Sequence, residues 1–407
     1  MSESILIIGA GHAGVQLAES LREHGHDGPI TLVDQGAQQP YQRPPLSKDF
    51  VASHQAPEML PLRSEGFYAQ QRIELLTSVS ATAVDRAART VDLSNGEQLG
   101  YDRMVFATGA RNRELACPGA RDPRVIGLRT LNDAENLRQK LDGAQRAVVA
   151  GAGFIGLEFA AAARARGIDV TVLHSASRVL NRSVSRRLSE WFTKAHRGDG
   201  IDLRLSEGVQ SIDAHDDLQV HSTERESYRA DLVVYGIGVL PNVDLAEASG
   251  LACENGILVD ASLRTSDERV YAIGDCANVD RGGTRVRLES VQNATDQARN
   301  LARTLCGEPA AYSEVAWFWS VQGRHRLQIA GLAQPSDSSM LLGDPESGKF
   351  SIAQLRDGQL VAVESVNRPA DHAAARKLLS RGESITDAML ASAGSLKELA
   401  CATPAAA

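Results

Sequence analysis

Two short glycine patterns, 142 residues apart, limit what this chain can fold into. The first is Gly9-Ala10-Gly11-His12-Ala13-Gly14. The apolar run Ser4 to Ile8 precedes it, and a stretch of helical periodicity, Val15 to Gly25, follows. That is strand, glycine turn and helix. Gly9 permits the tight turn, Gly11 lets backbone approach a pyrophosphate, and Gly14 lets the helix pack closely on the strand. The helix N-terminus offers free N–H groups to phosphates. A second strand, Pro29 to Val33, ends at Asp34, 25 residues after Gly9, where an acid accepts from a ribose hydroxyl. The second pattern repeats the first: strand Arg146 to Ala150, turn Gly151-Ala152-Gly153-Phe154-Ile155-Gly156, helix Leu157 to Gly167, strand Asp169 to Leu173. Two such units imply two dinucleotides, and the ordinary reason for two is that one cofactor hands electrons to the other. FAD and a nicotinamide are the obvious pair. A duplicated fold with one inactive site is the alternative.

The second unit departs from the rule at one place. Its second strand ends at His174, where an acid would grip an unphosphorylated ribose. Loss of the acid removes repulsion against a 2′-phosphate, and Arg178 is placed to pair with one. Alternatively His174 only hydrogen-bonds a ribose hydroxyl. NADH is the expected substrate, with NADPH as the alternative.

The rest of the sequence narrows the class. The formal net charge is −8, so the balance argues against a nucleic-acid-binding face. No apolar run reaches 18 residues, so no membrane span is expected. The start, MSESILIIGAG, lacks a basic region and reads as a first strand rather than a signal peptide. Cys117, Cys253, Cys276, Cys306 and Cys401 are scattered and form no CxxC or CxxxxC. Neither a disulfide framework nor a thiolate metal site is expected, and a cytoplasmic location fits. Cys276 reads as a packed residue. Lys349 to Leu355 and Leu360 to Val366 read as a hairpin around Asp357-Gly358-Gln359, and Ala370 to Leu379 as a helix. The tail Ala402 to Ala407 is expected to be disordered.

At Tyr41-Gln42-Arg43-Pro44-Pro45-Leu46-Ser47-Lys48-Asp49 the chain resembles the FAD-dependent ferredoxin reductases that serve oxygenases. The resemblance covers nearly the whole chain. It includes Ala107-Thr108-Gly109-Ala110, Leu128 to Ala134, Gly236 to Asn242, Tyr271 to Cys276, Glu289 to Ala294 and Trp317-Phe318-Trp319-Ser320. It implies an α/β fold: two Rossmann-like dinucleotide-binding domains, for FAD and NAD, plus a small α+β C-terminal domain. The expected division is an FAD domain at 1–108, an NAD(P) domain at 109–235, a return to the FAD domain at 236–313, and the C-terminal domain at 314–407.

The resemblance also implies roles. Gly9, Gly11, Ala13, Gly14, Asp34, Arg43, Lys48, Ala81, Arg129, Asp275, Val291 and Trp319 would serve FAD. Gly151, Gly153, Ile155, Gly156, Glu158, His174, Arg178 and Gly238 would serve the nicotinamide. Lys48, near flavin N5, and Glu158, binding the nicotinamide amide, would pair within the site as the catalytic residues; as partly buried opposite charges they would need each other. A surface lysine and a helix-surface glutamate is the plainer reading of the same two residues. The helix from Gln292 to Leu305 would point its positive end at the flavin. The expected partner is a 2Fe-2S ferredoxin, docked on Arg285, Arg287, Arg324 and Arg326, and the expected assembly is a monomer or weak homodimer. A rubredoxin reductase, an NADH oxidase and a redox-sensing NADH-binding protein similar to apoptosis-inducing factor are the competing readings. One departure from the family is Val321, where Asp is usual.

Overall fold

The computed structural model describes residues 3–52, 60–308, 310–393 and 395–402. Of the tail expected to be disordered, Ala402 to Ala407, the first residue instead closes helix Leu396–Ala402, and 403–407 lie outside those described. The chain divides into two compact units, each assembled from separate stretches of sequence.

The first unit is Met1–Gln42, Pro57–Arg111 and Val239–Glu314. Its centre is a five-stranded parallel sheet in the order Val270–Ala272, Arg103–Phe106, Ile5–Ile8, Ile30–Val33, Ile73–Leu76. A parallel sheet covered on both faces needs strands apolar throughout. Ile5–Ile8 meets that demand, with every residue buried. Helix His12–Glu23 packs on helix Val291–Leu305. An antiparallel sheet of Ala81–Asp85, Thr90–Leu93 and Gln98–Gly100 completes much of the rest.

The second unit is Arg43–Ala56, Asn112–Gly238 and Val315–Ala407. It repeats the parallel arrangement as Asp202–Leu205, Asp169–His174, Arg146–Ala150, Leu232–Tyr235, Val125–Gly127. It also contains a five-stranded antiparallel sheet in the order Trp317–Gln322, His325–Gly331, Gln359–Val366, Lys349–Arg356, Ser338–Asp344. The hairpin read from alternation at 349–366 is present in that sheet. Helix Pro369–Ser380, with proline pre-set for its first turn, covers one face. The short segment Arg43–Ala56 belongs to this unit although it is read within the first.

Candidate active site

In the first unit the three glycines of the turn play different physical roles. Gly9 has φ +111°, and a Cβ there would stand 2.3 Å from the Ala107 carbonyl oxygen. A Cβ on Gly14 would stand 2.0 Å from the Gly9 carbonyl oxygen, so the helix is seated against the turn with no room for a methyl group. A Cβ on Gly11 would meet nothing within 4 Å. Two glycines are thus required by packing, and the middle one faces open space where a pyrophosphate would lie. No side chain caps the helix that starts at His12. A helix N-terminus of this kind suits an anion. This cradle fits a dinucleotide.

Asp34 locks the turn. Its Oδ2 accepts from the Ala10 N–H at 2.7 Å and its Oδ1 from the Gly36 N–H at 2.8 Å. Ala13 is buried in the helix, and its Cβ lies 3.1 Å from the position a Gly274 Cβ would take. Gly274, at φ +77°, opens the single turn that carries Asp275, and its N–H donates to Gln297 Oε1 at 2.7 Å. Val291 begins its helix behind Ser290, whose hydroxyl accepts from the Asn293 N–H. Ala81 opens its strand half-buried. Cys276 is fully buried, its thiol 3.3 Å from the Ile273 carbonyl, and burial pushes the thiol pKa up. It is a packed residue, as the absence of a sequence partner suggests. The expected docking role of Arg287 needs correction. Its side chain is only 9% exposed, pairs with Glu289 at 2.7 Å and donates to the Asp275 carbonyl.

The second unit repeats the glycine geometry. Gly151 has φ +105°, with a Cβ position 2.6 Å from the Gly236 carbonyl oxygen. For Gly156 the corresponding distance is 2.0 Å, to the Gly151 carbonyl oxygen. For Gly153 nothing stands closer than 3.7 Å. His174 takes the place of Asp34 and repeats its bond: Nδ1 lies 3.2 Å from the Ala152 nitrogen. A ring nitrogen that accepts there must be unprotonated, so Nε2 carries the hydrogen and donates to the Arg178 carbonyl at 3.1 Å. Burial lowers the His174 pKa, in keeping with a neutral ring. Both ring nitrogens are therefore engaged within the protein. Arg178 points its guanidinium into its own loop, at the carbonyls of Asn181 and Val184. Ile155 is 40% exposed near the start of its helix, an unusual exposure for its type. Gly238 has φ +117°, and a Cβ there would meet the Arg182 guanidinium at 3.4 Å. Arg182, which sequence reasoning missed, is an exposed cation whose field also depresses the His174 pKa.

Lys48 and Glu158 form the most informative cluster, and both belong to the second unit. Pro44 and Pro45 pre-set φ for the single turn Pro44–Ser47, with Arg43 half-buried at its head and Lys48 at its end. Lys48 Nζ lies 2.7 Å from Glu158 Oε2, with side chains 16% and 2% exposed. Ser47 donates to the same oxygen at 2.5 Å, and Ser320 donates to Oε1 at 2.6 Å. The reading of Glu158 as a helix-surface residue is thereby excluded. Trp319 lies half-buried on the strand that carries Ser320, its ring tilted on Trp317 at 5.7 Å between centroids. Val321, the departure from the family, is half-buried in that strand. Arg129 precedes helix Leu131–Leu141, whose Thr130 and Asp133 form a capping box. The Arg129 N–H also donates to Asp133 at 3.1 Å.

Sequence reasoning quoted Ser47 and Ser320 inside motifs without giving them work. It missed two further residues behind Ser320. Gln322 Nε2 lies 3.1 Å from Ser320 Oγ, and Gln322 Oε1 lies 2.7 Å from His196 Nε2. No group of acids, histidines or cysteines placed to hold a metal exists among the described residues, and none of the five cysteines is in a disulfide. No described helix is long and apolar enough to cross a membrane.

The chain matches two family models. Residues 3–298 match "Pyridine nucleotide-disulphide oxidoreductase", and residues 317–400 match "Reductase C-terminal". Rhodocoxin reductase from Rhodococcus erythropolis is 47% identical over 93% of this chain and 89% of its own. The ferredoxin reductase for the CYP199A2 system from Rhodopseudomonas palustris superposes with a TM-score of 0.95 at 43% identity, covering 98% of this chain and 100% of its own. The reductase in a covalent putidaredoxin reductase–putidaredoxin complex superposes with a TM-score of 0.94 at 36% identity, covering 98% of each chain.

Proposed function

Since the chain belongs to the pyridine nucleotide-disulphide oxidoreductases, enzymes that here use FAD and NAD(P)H, we propose that it carries electrons from NADH to a 2Fe-2S ferredoxin serving an oxygenase. The observation that carries this reading is the duplicated glycine turn, built alike in both units and locked by an acid in one and a histidine in the other. The acid-locked turn takes FAD and the histidine-locked turn takes the nicotinamide nucleotide.

Bound FAD supplies the conversion of a hydride into two single electrons. The chain's own residues bind and orient. Glu158 accepts the carboxamide N–H of the nicotinamide, and Lys48, paired with it at 2.7 Å, holds the carboxylate in place. Glu158 has room for this. A carboxylate offers about four acceptor positions. Ser47 and Lys48 use the two on Oε2 and Ser320 uses one on Oε1, which leaves one on Oε1. Val291, at the head of a helix of 15 residues, presents a positive helix end to the flavin. Asp275, Ala81, Arg129, Arg43 and Trp319 make further flavin contacts, and Ile155 and Gly238 contact the nicotinamide nucleotide. Of the arginines expected to meet the ferredoxin, Arg285 is exposed on the first unit, and Arg324, with a side chain 74% exposed, and Arg326 are exposed on the second. The protein works as a monomer or weak homodimer in a reducing cytoplasm, where its unpaired cysteines persist.

Anaerobic stopped-flow mixing with NADH and with NADPH, followed by candidate carriers, tests the reading. Flavin bleaching by NADH and rapid reoxidation by a 2Fe-2S ferredoxin are expected. Faster reoxidation by rubredoxin or oxygen moves the assignment to a rubredoxin reductase or an NADH oxidase. Failure of both nucleotides to bleach the flavin refutes the reading.

A further inference from the structure

Behind Glu158 a line of buried polar side chains runs through the second unit: Ser320, Gln322 and His196, each fully buried. Its hydrogens follow one from another, starting from the ion pair. Glu158 faces an ammonium and is a carboxylate, which only accepts. Ser320, 2.6 Å away, must therefore donate to it. The serine oxygen is then left to accept, so the Gln322 amide must turn its NH2 toward Ser320 and its carbonyl toward His196. That carbonyl in turn requires the hydrogen of His196 to sit on Nε2. One charge thus fixes the orientation of three side chains. The reverse also holds: the donors all point one way, toward Glu158.

The chain is not a proton route, because the Gln322 amide would have to give up and regain an N–H to pass a proton. It is an orienting device. Ser320 and Gln322 are two apart on the strand Trp317–Gln322, so they share one face of the sheet. His196 is held from the other side in the last turns of helix Arg186–Gly198, its ring stacked on Phe192 and edge-on to His325. The groups nearest that ring include His325, which is bound to Asp199 at 2.8 Å.

We propose that Gln322 and His196 are positioning residues for Glu158: through Ser320 they hold its Oε1 in the orientation that receives the nicotinamide carboxamide. This rests on the functional reading above. If Ser320 loses its donor it is free to rotate and to turn its hydrogen away, and the remaining acceptor position on Glu158 is no longer fixed.

The test is equilibrium binding to the FAD-loaded protein, measured by titration calorimetry with NAD+ and with ADP-ribose, which lacks the nicotinamide. Gln322→Leu and His196→Leu should each weaken NAD+ binding about fivefold, roughly the net effect of one ordinary hydrogen bond. ADP-ribose binding should not change. His196→Gln, which offers an N–H near the place of Nε2, should retain NAD+ binding. If a leucine variant does not fold, Gln322→Glu serves instead. Its carboxylate competes with Glu158 for the Ser320 hydrogen and should weaken NAD+ binding in the same selective way. Unchanged NAD+ binding in these variants, or equal weakening of both ligands, overturns the proposal. Glu158→Gln separates the two levels. If it leaves NAD+ binding unchanged, the functional reading fails and the proposal falls with it. If it weakens NAD+ binding while Gln322→Leu and His196→Leu do not, only the proposal fails.

Discussion

Replacing Lys48 with methionine keeps most of the length of the side chain and removes its charge. Glu158, with a side chain 2% exposed, would then face no cation at 2.7 Å. Breaking a buried ion pair by deleting one partner typically costs about 3–5 kcal/mol. Two features lower the figure here. Lys48 is 16% exposed, and Ser47 and Ser320 continue to donate to the carboxylate. Charge-assisted bonds of this kind contribute about 1.5–3 kcal/mol each. A loss of about 2 kcal/mol is therefore expected. For a unit of this size that corresponds to roughly 4–8 °C in the calorimetric transition of the second unit. The double variant Lys48→Met/Glu158→Gln should recover most of the loss, giving a coupling of at least about 1 kcal/mol in a double-mutant cycle. In stopped flow, Lys48→Met should retain FAD and be reduced more slowly by NADH. A coupling near zero, together with unchanged flavin reduction, would refute the argument that the pair is buried and functional.

The remaining expectations are more local. Gly14→Ala should abolish FAD binding, whereas Gly156→Ala should leave FAD in place and weaken nicotinamide binding, because each methyl would stand 2.0 Å from a carbonyl oxygen of its own turn. Flavin absorbance after gel filtration and NAD+ titration distinguish the two. His174→Glu restores an acid at the end of its strand and should lower kcat/KM for NADPH about tenfold relative to NADH, through repulsion of the 2′-phosphate; an equal loss with both nucleotides would mean that His174 does not discriminate. Burial brings the His196 pKa down to about 4. Between its unfolded value near 6.5 and about 4 the unfolded chain binds a proton at this site and the folded one does not, so acidification through that window destabilises the fold. The acid-induced fall in Tm should be smaller in His196→Gln than in the parent, and His372, also lowered to about 4, should account for part of what remains.

The sequence disclosed most readily what a contiguous stretch can carry. Both strand–turn–helix units lie where the glycines place them, and the alternation at 349–366 is a hairpin. The pairing of Lys48 with Glu158, implied by resemblance, is present. What remained hidden depends on long-range register. Gln322 reaches His196 only because a strand edge and a helix from distant sequence share one interior. His196, in a basic last turn after Arg186-Arg187, reads locally as one more solvated residue. Arg287 has one partner, Glu289, within two residues in the sequence, but only the fold shows that the Asp275 carbonyl also holds its guanidinium. His174 was recognised as the missing acid, but not as a substitute for it in the same hydrogen bond.

The packing of helix His12–Glu23 on helix Val291–Leu305 has a consequence for synthesis. The ribosome completes the second helix about 280 residues after the first. At about 5–20 residues per second that delay is on the order of tens of seconds. Strand Val270–Ala272, at the edge of the same sheet, is late as well. The surface on which the later helix packs must wait uncovered while residues 112–238 of the second unit are made. The earliest segment of the protein is thus among the last to be finished, and that interval is when a chaperone would have most to do.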